Sequence, residues 1–170
     1  MSTTKGPVWK IDTGITLACV LGFAASYYAY VLGIAKGEDN SYEAMCDISE
    51  HVSCTKAFLS EYGKGFGIIP ESSPLYMLNS VYGLIFYTLV GVLSTINKYS
   101  TSAIVVALAV ASNLATIYLA YILYMQNNIC VICVSLYIIN AIILILAVKK
   151  HRKLSRNGTN KNKNKKKKSN

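Results

Sequence analysis

Residues 129–148 read ICVICVSLYIINAIILILAV, an uncharged run of 20 residues that ends directly on Lys149 and Lys150. About 20 such residues cross the hydrocarbon core of a bilayer as a helix. Three more uncharged stretches of similar length, 13–35, 78–96 and 101–125, precede it. They are too long for the strands of a membrane barrel, and an open sheet would leave backbone groups unpaired in lipid, so helices are expected. The predicted fold class is an all-α membrane protein: a four-transmembrane-helix bundle with a long loop, 36–77, between the first two helices. Composition agrees, because a chain that is 53% hydrophobic and still carries a formal charge of +9 must keep its oily and charged parts apart. The first stretch is read as a retained anchor, since its uncharged run exceeds a secretory signal core and no small-x-small cleavage site ends it.

Charge sets the expected orientation. Most basic residues follow Val148, Lys5 and Lys10 precede the first stretch, and Lys98 lies between the second and third. Glu38, Asp39, Glu43, Asp47, Glu50, Glu61 and Glu71 fall in the long loop. The positive-inside rule then puts both termini in the cytosol and the loop on the opposite side. Residues 1–150 form the expected membrane domain, and residues 151–170 an expected disordered basic cytosolic tail, too poor in apolar residues to fold alone. The tail is a topology anchor that can touch anionic lipid headgroups. Its ending, Lys167-Lys168-Ser169-Asn170, looks like the dilysine retrieval signal of endoplasmic reticulum membrane proteins. The sequon at Asn157 is expected to stay unglycosylated on that side. Nucleic acid is not an expected partner, because no folded basic surface accompanies the charge.

Four of the five cysteines fall on or near the non-cytosolic face in this topology: Cys46, Cys54, Cys130 and Cys133. Cys19 lies inside the first stretch and is read as a small packing residue. Cys130 and Cys133, three apart on a helix, share a face and can bridge. They occupy the first turn of the last stretch, where free N–H groups and the helix dipole favour a thiolate. A structural disulfide is the alternative for this pair. Cys46 and Cys54 can close a small ring in the polar loop, which alone reads as structural. Two pairs on one face also form a possible relay, in which a soluble dithiol reduces the first and the first reduces the second. Zinc is a weaker reading, because the spacings do not fit a zinc ribbon. Asn79 and Tyr137 are polar groups placed near lipid; each either holds a substrate oxygen or makes a helix-to-helix hydrogen bond. For Asn113 and Asn140 the hydrogen bond is expected.

The pieces Tyr42-Glu43-Ala44-Met45-Cys46-Asp47, Ser53-Cys54, Gly63-Lys64-Gly65-Phe66-Gly67, residues 79–87, residues 118–123 and Cys130-Val131-Ile132-Cys133 resemble, in order, the eukaryotic single-domain vitamin K epoxide reductase family over about residues 10–150. The resemblance implies an endoplasmic reticulum enzyme that reduces vitamin K epoxide and quinone with electrons from luminal thioredoxin-like proteins and no tightly bound cofactor. Carried onto matching positions, Cys133 is the nucleophile, Cys130 resolves the adduct, Cys54 re-reduces that pair, and Cys46 pairs with Cys54 and takes electrons from the partner. Asn79 and Tyr137 match the family's polar contacts to the naphthoquinone oxygens. Phe58, Phe86, Tyr87 and Leu123 are expected apolar walls. The chain departs from the vertebrate reductases in a shorter segment from Gly67 to Asn79, in Tyr62, in Leu136-Tyr137-Ile138 and in a shorter turn, Gln126-Asn127-Asn128, so substrate scope and anticoagulant sensitivity do not transfer. Two other readings are a quinone-dependent enzyme that makes disulfides, with the relay reversed, and a claudin-like structural protein. The second lacks the claudin tryptophan motif and has no use for Cys130 and Cys133.

Overall fold

The computed structural model describes residues 6–38, 44–49 and 51–168. Its elements are α1 (Gly6–Glu38), α2 (Cys54–Leu59), 3₁₀ turns at Glu61–Gly63 and Gly65–Gly67, α3 (Asn79–Ser94), α4 (Tyr99–Met125) and α5 (Val131–Lys168). Among the described residues, β pairing is confined to isolated bridges, one of which joins Val52 to Ile129.

Among the described residues, three segments are long and apolar enough to cross a membrane: Val8–Ala35, Tyr99–Met125 and Val131–Gly158. The expected second span is shorter. Helix α3 has 16 residues, about 24 Å at 1.5 Å per residue, against a hydrocarbon core of about 30 Å. Its C-terminal carbonyls lack intrahelical partners, and a buried cation meets one of them: Lys150 of α5, 2% exposed, donates to the carbonyl of Ser94. Asp12 of α1 balances that charge, with Oδ1 2.8 Å from Lys150 Nζ. One ion pair thereby ties three helices together at the end of the bundle away from the loop.

Where a disordered tail is expected, the backbone of residues 149–168 continues α5. The apolar span supplies the nucleus, and lysine is a good residue for propagating a helix. Ser169 and Asn170 of the dilysine-like ending lie outside the described residues, as do Asp39, Tyr42, Glu43 and Glu50 of the loop.

The central core takes Ile15, Ala18 and Cys19 from α1, Tyr87 and Val90 from α3, Val105 and Ala109 from α4, and Ile143 and Ala147 from α5. Cys19 is a free buried thiol, as its packing reading requires. Helices α1 and α3 approach closely at glycine: a Cβ on Gly22 would fall 2.4 Å from the Tyr87 ring. Several polar groups in the interior are paired across helices. Tyr87 Oη donates to Asn140 Oδ1 (2.8 Å), Asn140 Nδ2 donates to Thr116 Oγ1 (3.0 Å), and Asn113 Nδ2 donates to the Asn140 carbonyl (3.1 Å). The outward faces are apolar, with Leu17, Val92, Ile117 and Ile145 all exposed. A water-soluble bundle would bury such side chains; a bilayer solvates them.

Candidate active site

The loop around Cys46 and Cys54 is organised by one carboxylate. Asp47 accepts hydrogen bonds from the Ala44 N–H (3.2 Å), the Ser53 hydroxyl (2.7 Å), the Thr55 N–H (3.0 Å) and the Thr55 hydroxyl. Burial alone would raise its pKa, but the donors from Thr55, Ser53 and Ala44 outweigh burial and hold the carboxyl down to about 2. Ser53 caps α2 by accepting from the Lys56 N–H (3.1 Å), the usual use of serine at a helix start. Cys54 begins that helix and is disulfide-bonded to Cys46, with Cα atoms 5.8 Å apart.

The second pair is positioned by the turn between α4 and α5. Helix α4 ends with Asn127 in the left-handed region, φ 50°, a conformation asparagine tolerates. The Asn127 N–H bonds the Tyr124 carbonyl (3.1 Å) and the Asn128 N–H the Leu123 carbonyl (3.2 Å), a Schellman closure. Cys130 then occupies the cap of α5: its carbonyl accepts from Val134 N–H (3.0 Å) and its Sγ from Cys133 N–H (3.2 Å). Cys130 and Cys133 form the second disulfide, Cα atoms 5.2 Å apart.

The two pairs meet. Cys54 and Cys130 are both 0% exposed in one apolar cluster with Leu32, Ala44 and Ala57, and Cys46 and Cys133 pack against it. Cys46 and Cys133 are only half-buried. The four sulfurs thus run from a partly open position, through two sealed ones, to a partly open one.

Cys133 opens into a cavity of about 510 Å³, its mouth included, lined also by Phe58, Asn79, Leu123 and Tyr137. Ala57, Ser60, Tyr62, Gly63, Leu119, Ile122 and Leu136 complete the wall. Gly63 of that wall leads into the glycine-rich turn, in which Gly65, Phe66 and Gly67 all have positive φ. Glycine suits that geometry and phenylalanine resists it. Phe66 is held there from three directions: its N–H donates to Asn79 Oδ1 (2.9 Å), its carbonyl accepts from Tyr118 Oη (3.2 Å), and its ring lies 5.3 Å from that of Tyr82. Asn79 Nδ2 also donates to the Tyr62 carbonyl (2.6 Å). Asn79 therefore fastens this turn as well as lining the cavity.

Of the residues singled out in the sequence, the structure brings Cys46, Cys54, Cys130, Cys133, Asn79, Tyr137, Phe58 and Leu123 together at one end of the bundle. Phe86 and Tyr87 are not cavity walls. Tyr87 belongs to the central core, with Phe86 edge-on to it at 5.2 Å; they lie about two turns beyond Asn79 along α3, deeper in the bundle than the cavity. Ser60, Gly63, Leu119 and Ile122 were not anticipated. The only sequence signal for Gly63 and Tyr62 is their position at the glycine-rich piece, and Leu119 and Ile122 share the apolar character of every lipid-facing residue.

Comparison with known proteins is consistent with this arrangement. The family model for the vitamin K epoxide reductase family matches residues 14–148. The chain is 32% identical over 151 residues to the vitamin K epoxide reductase complex subunit 1 of Mus musculus, covering 85% of this chain and 94% of that one. The Rattus norvegicus protein of the same name is 31% identical over the same shares. A match across nearly the whole four-helix region, cysteines and cavity included, makes this chain a member of the vitamin K epoxide reductase family.

Proposed function

We propose that the protein is a thiol–disulfide oxidoreductase of the endoplasmic reticulum membrane that reduces vitamin K 2,3-epoxide, and vitamin K quinone, with electrons from luminal thioredoxin-like proteins. The observation that carries the reading is the burial order of the sulfurs: half-buried Cys46, sealed Cys54 and Cys130, then Cys133 on a cavity shared with Asn79 and Tyr137. A water-borne dithiol reaches the first sulfur, and a lipid-borne ring reaches the last.

In the reductive direction the Cys133 thiolate attacks an epoxide carbon, and the ring oxygen gains negative charge as its carbon–oxygen bond breaks. The second N–H of the Asn79 amide and the Tyr137 hydroxyl stabilise that oxygen in a water-poor cavity. Cys130 then attacks Cys133 sulfur, the oxygen leaves as water, and the quinone departs as Cys130 and Cys133 close their disulfide. Cys54 attacks Cys130, freeing Cys133, and Cys46 attacks Cys54, freeing Cys130. A luminal dithiol reduces the Cys46–Cys54 bond that remains. All the electrons come from thiols, passed on between neighbouring sulfurs, so no tightly bound cofactor is required.

The topology completes the reading. Four helices cross the membrane with both termini cytosolic, and α3 crosses despite its length because Lys150 meets the Ser94 carbonyl at its end. The test is turnover of vitamin K epoxide to quinone by membranes carrying the chain and supplied with a dithiol. Wild type is expected to turn over and Cys133→Ala to be inactive; full activity in that variant would remove the proposal.

A further inference from the structure

We propose that Asn128 is a positioning residue that holds the two cysteine pairs within exchange distance, an inference that rests on the relay described above. The residue is 6% exposed and lines neither the cavity nor the central core. Its whole amide is committed to one residue of the loop: Oδ1 accepts from the Ser53 N–H (3.2 Å) and Nδ2 donates to the Ser53 carbonyl (2.8 Å). An asparagine side chain can present its acceptor and one of its two donors in the geometry of a backbone amide, so it stands in for a neighbouring strand. Ser53 directly precedes Cys54, and Asn128 lies two residues before Cys130. The side chain therefore joins the backbones that carry the two sealed sulfurs.

The surrounding bonds show what the amide adds. The Ser53 N–H is shared with the Ile129 carbonyl (3.1 Å), and the Ile129 N–H donates to the His51 carbonyl (2.8 Å). Truncating Asn128 leaves that short bridge in place and removes the side-chain donor to the Ser53 carbonyl, which as the cap of α2 keeps only its intrahelical partner. The loop and the α4–α5 turn then remain adjacent but lose their fixed register. Exchange between Cys54 and the Cys130–Cys133 bond requires the attacking thiolate in line with the bond it breaks, and misplacement by about 1 Å is costly. The disulfides themselves, and Cys133 with its cavity, do not depend on this contact. Asn128 should therefore govern transfer between pairs and not reduction of the substrate.

The experiment removes vitamin K from the question. In the full-length Cys46→Ala/Cys133→Ala variant only Cys54 and Cys130 can join at this end, and their bond is equilibrated against glutathione redox buffers and read by mass spectrometry. Adding Asn128→Ala is expected to lower the effective concentration of the two thiols about tenfold, with Asn128→Asp between, since a carboxylate keeps the bond from the Ser53 N–H but cannot donate to its carbonyl. An equal Cys54–Cys130 equilibrium with and without Asn128 overturns this proposal and leaves the relay standing. Absence of the bond even with Asn128 present overturns both. As a second reading on otherwise native cysteines, Asn128→Ala should lose about tenfold in epoxide turnover driven by reduced thioredoxin, which is too large for the cavity, and keep turnover driven by dithiothreitol within about twofold. Equal losses with both reductants would mean a general structural defect and overturn the assignment.

Discussion

The ion pair at the far end of the bundle permits a test of the fold that leaves the redox site untouched. Asp12→Ala removes the counter-charge of Lys150, whose side chain is 2% exposed, while Asp12 itself is 15% exposed. Breaking a buried pair by removing one partner costs about 3–5 kcal/mol. The partial exposure of Asp12, and the freedom of a lysine stem to carry its charge toward water, put the expected loss at the lower limit, about 3 kcal/mol. For a chain of this size each kcal/mol moves the melting temperature by about 2–4 °C, so a fall of about 6–12 °C is expected. Lys150→Met keeps the apolar length, frees Asp12 toward solvent and leaves the Ser94 carbonyl without its donor, a loss of about 1–3 kcal/mol. In the double variant neither charge is stranded, so its destabilisation should be smaller than the sum of the two. Cys19, buried and free, provides the assay: in detergent or nanodiscs its reaction with a thiol-reactive fluorophore reports opening of the core on heating. An Asp12→Ala protein that melts with wild type, or strictly additive losses in the double variant, would refute the argument that this pair holds α1, α3 and α5 together.

Other expectations concern the site. Gly63→Ala would place a Cβ 2.1 Å from the Phe58 carbonyl oxygen, displacing the cavity wall; epoxide kcat/KM should fall about 100-fold, and a normal value would show that the wall is not part of the substrate site. Tyr87→Phe deletes the bond to Asn140 (2.8 Å) and should cost about 1 kcal/mol of stability while leaving KM for the epoxide unchanged; a raised KM would return Tyr87 to the cavity. Asp47 has a folded pKa of about 2, below the roughly 3.9 of an unfolded aspartate. Its stabilisation is fully present above pH of about 3.9 and is lost as pH falls toward 2. Asp47→Asn should flatten that part of the pH–stability profile of the Cys46–Cys54 loop, measured as the protection of Cys54 from alkylation under mild reduction.

Particular residues show where sequence reasoning reaches and where it stops. The uncharged runs at 78–96 and 101–125 marked α3 and α4 within two residues, because the exclusion of charge from hydrocarbon is a local, composition-level constraint. The runs at 13–35 and 129–148 placed α1 and α5 but understated them, since α1 already begins at Gly6 and α5 continues to Lys168, through charged residues that end a span without ending a helix. The joining of Cys46 to Cys54 and of Cys130 to Cys133 was readable as an option from spacing. Asn79 and Tyr137 stood out because polar groups near lipid need partners. Phe86 and Tyr87, expected as walls, pack in the central core, and an aromatic residue in a membrane helix carries no mark of which neighbour it faces.

The sequence by itself determined that the chain is helical and lipid-embedded, with most of its basic residues at one end and four of its five cysteines toward the other, because hydropathy and charge act on each residue wherever it packs. Only the tertiary structure decided which sulfurs are sealed, that Asn79 fastens the Phe66 turn, and that Asn128 bridges the two cysteine-bearing backbones. Ser53 and Asn128 are 75 residues apart in the chain. Their hydrogen bonds depend on direction and on distances of about 3 Å, and no local pattern encodes a contact that exists only once the helices have assembled.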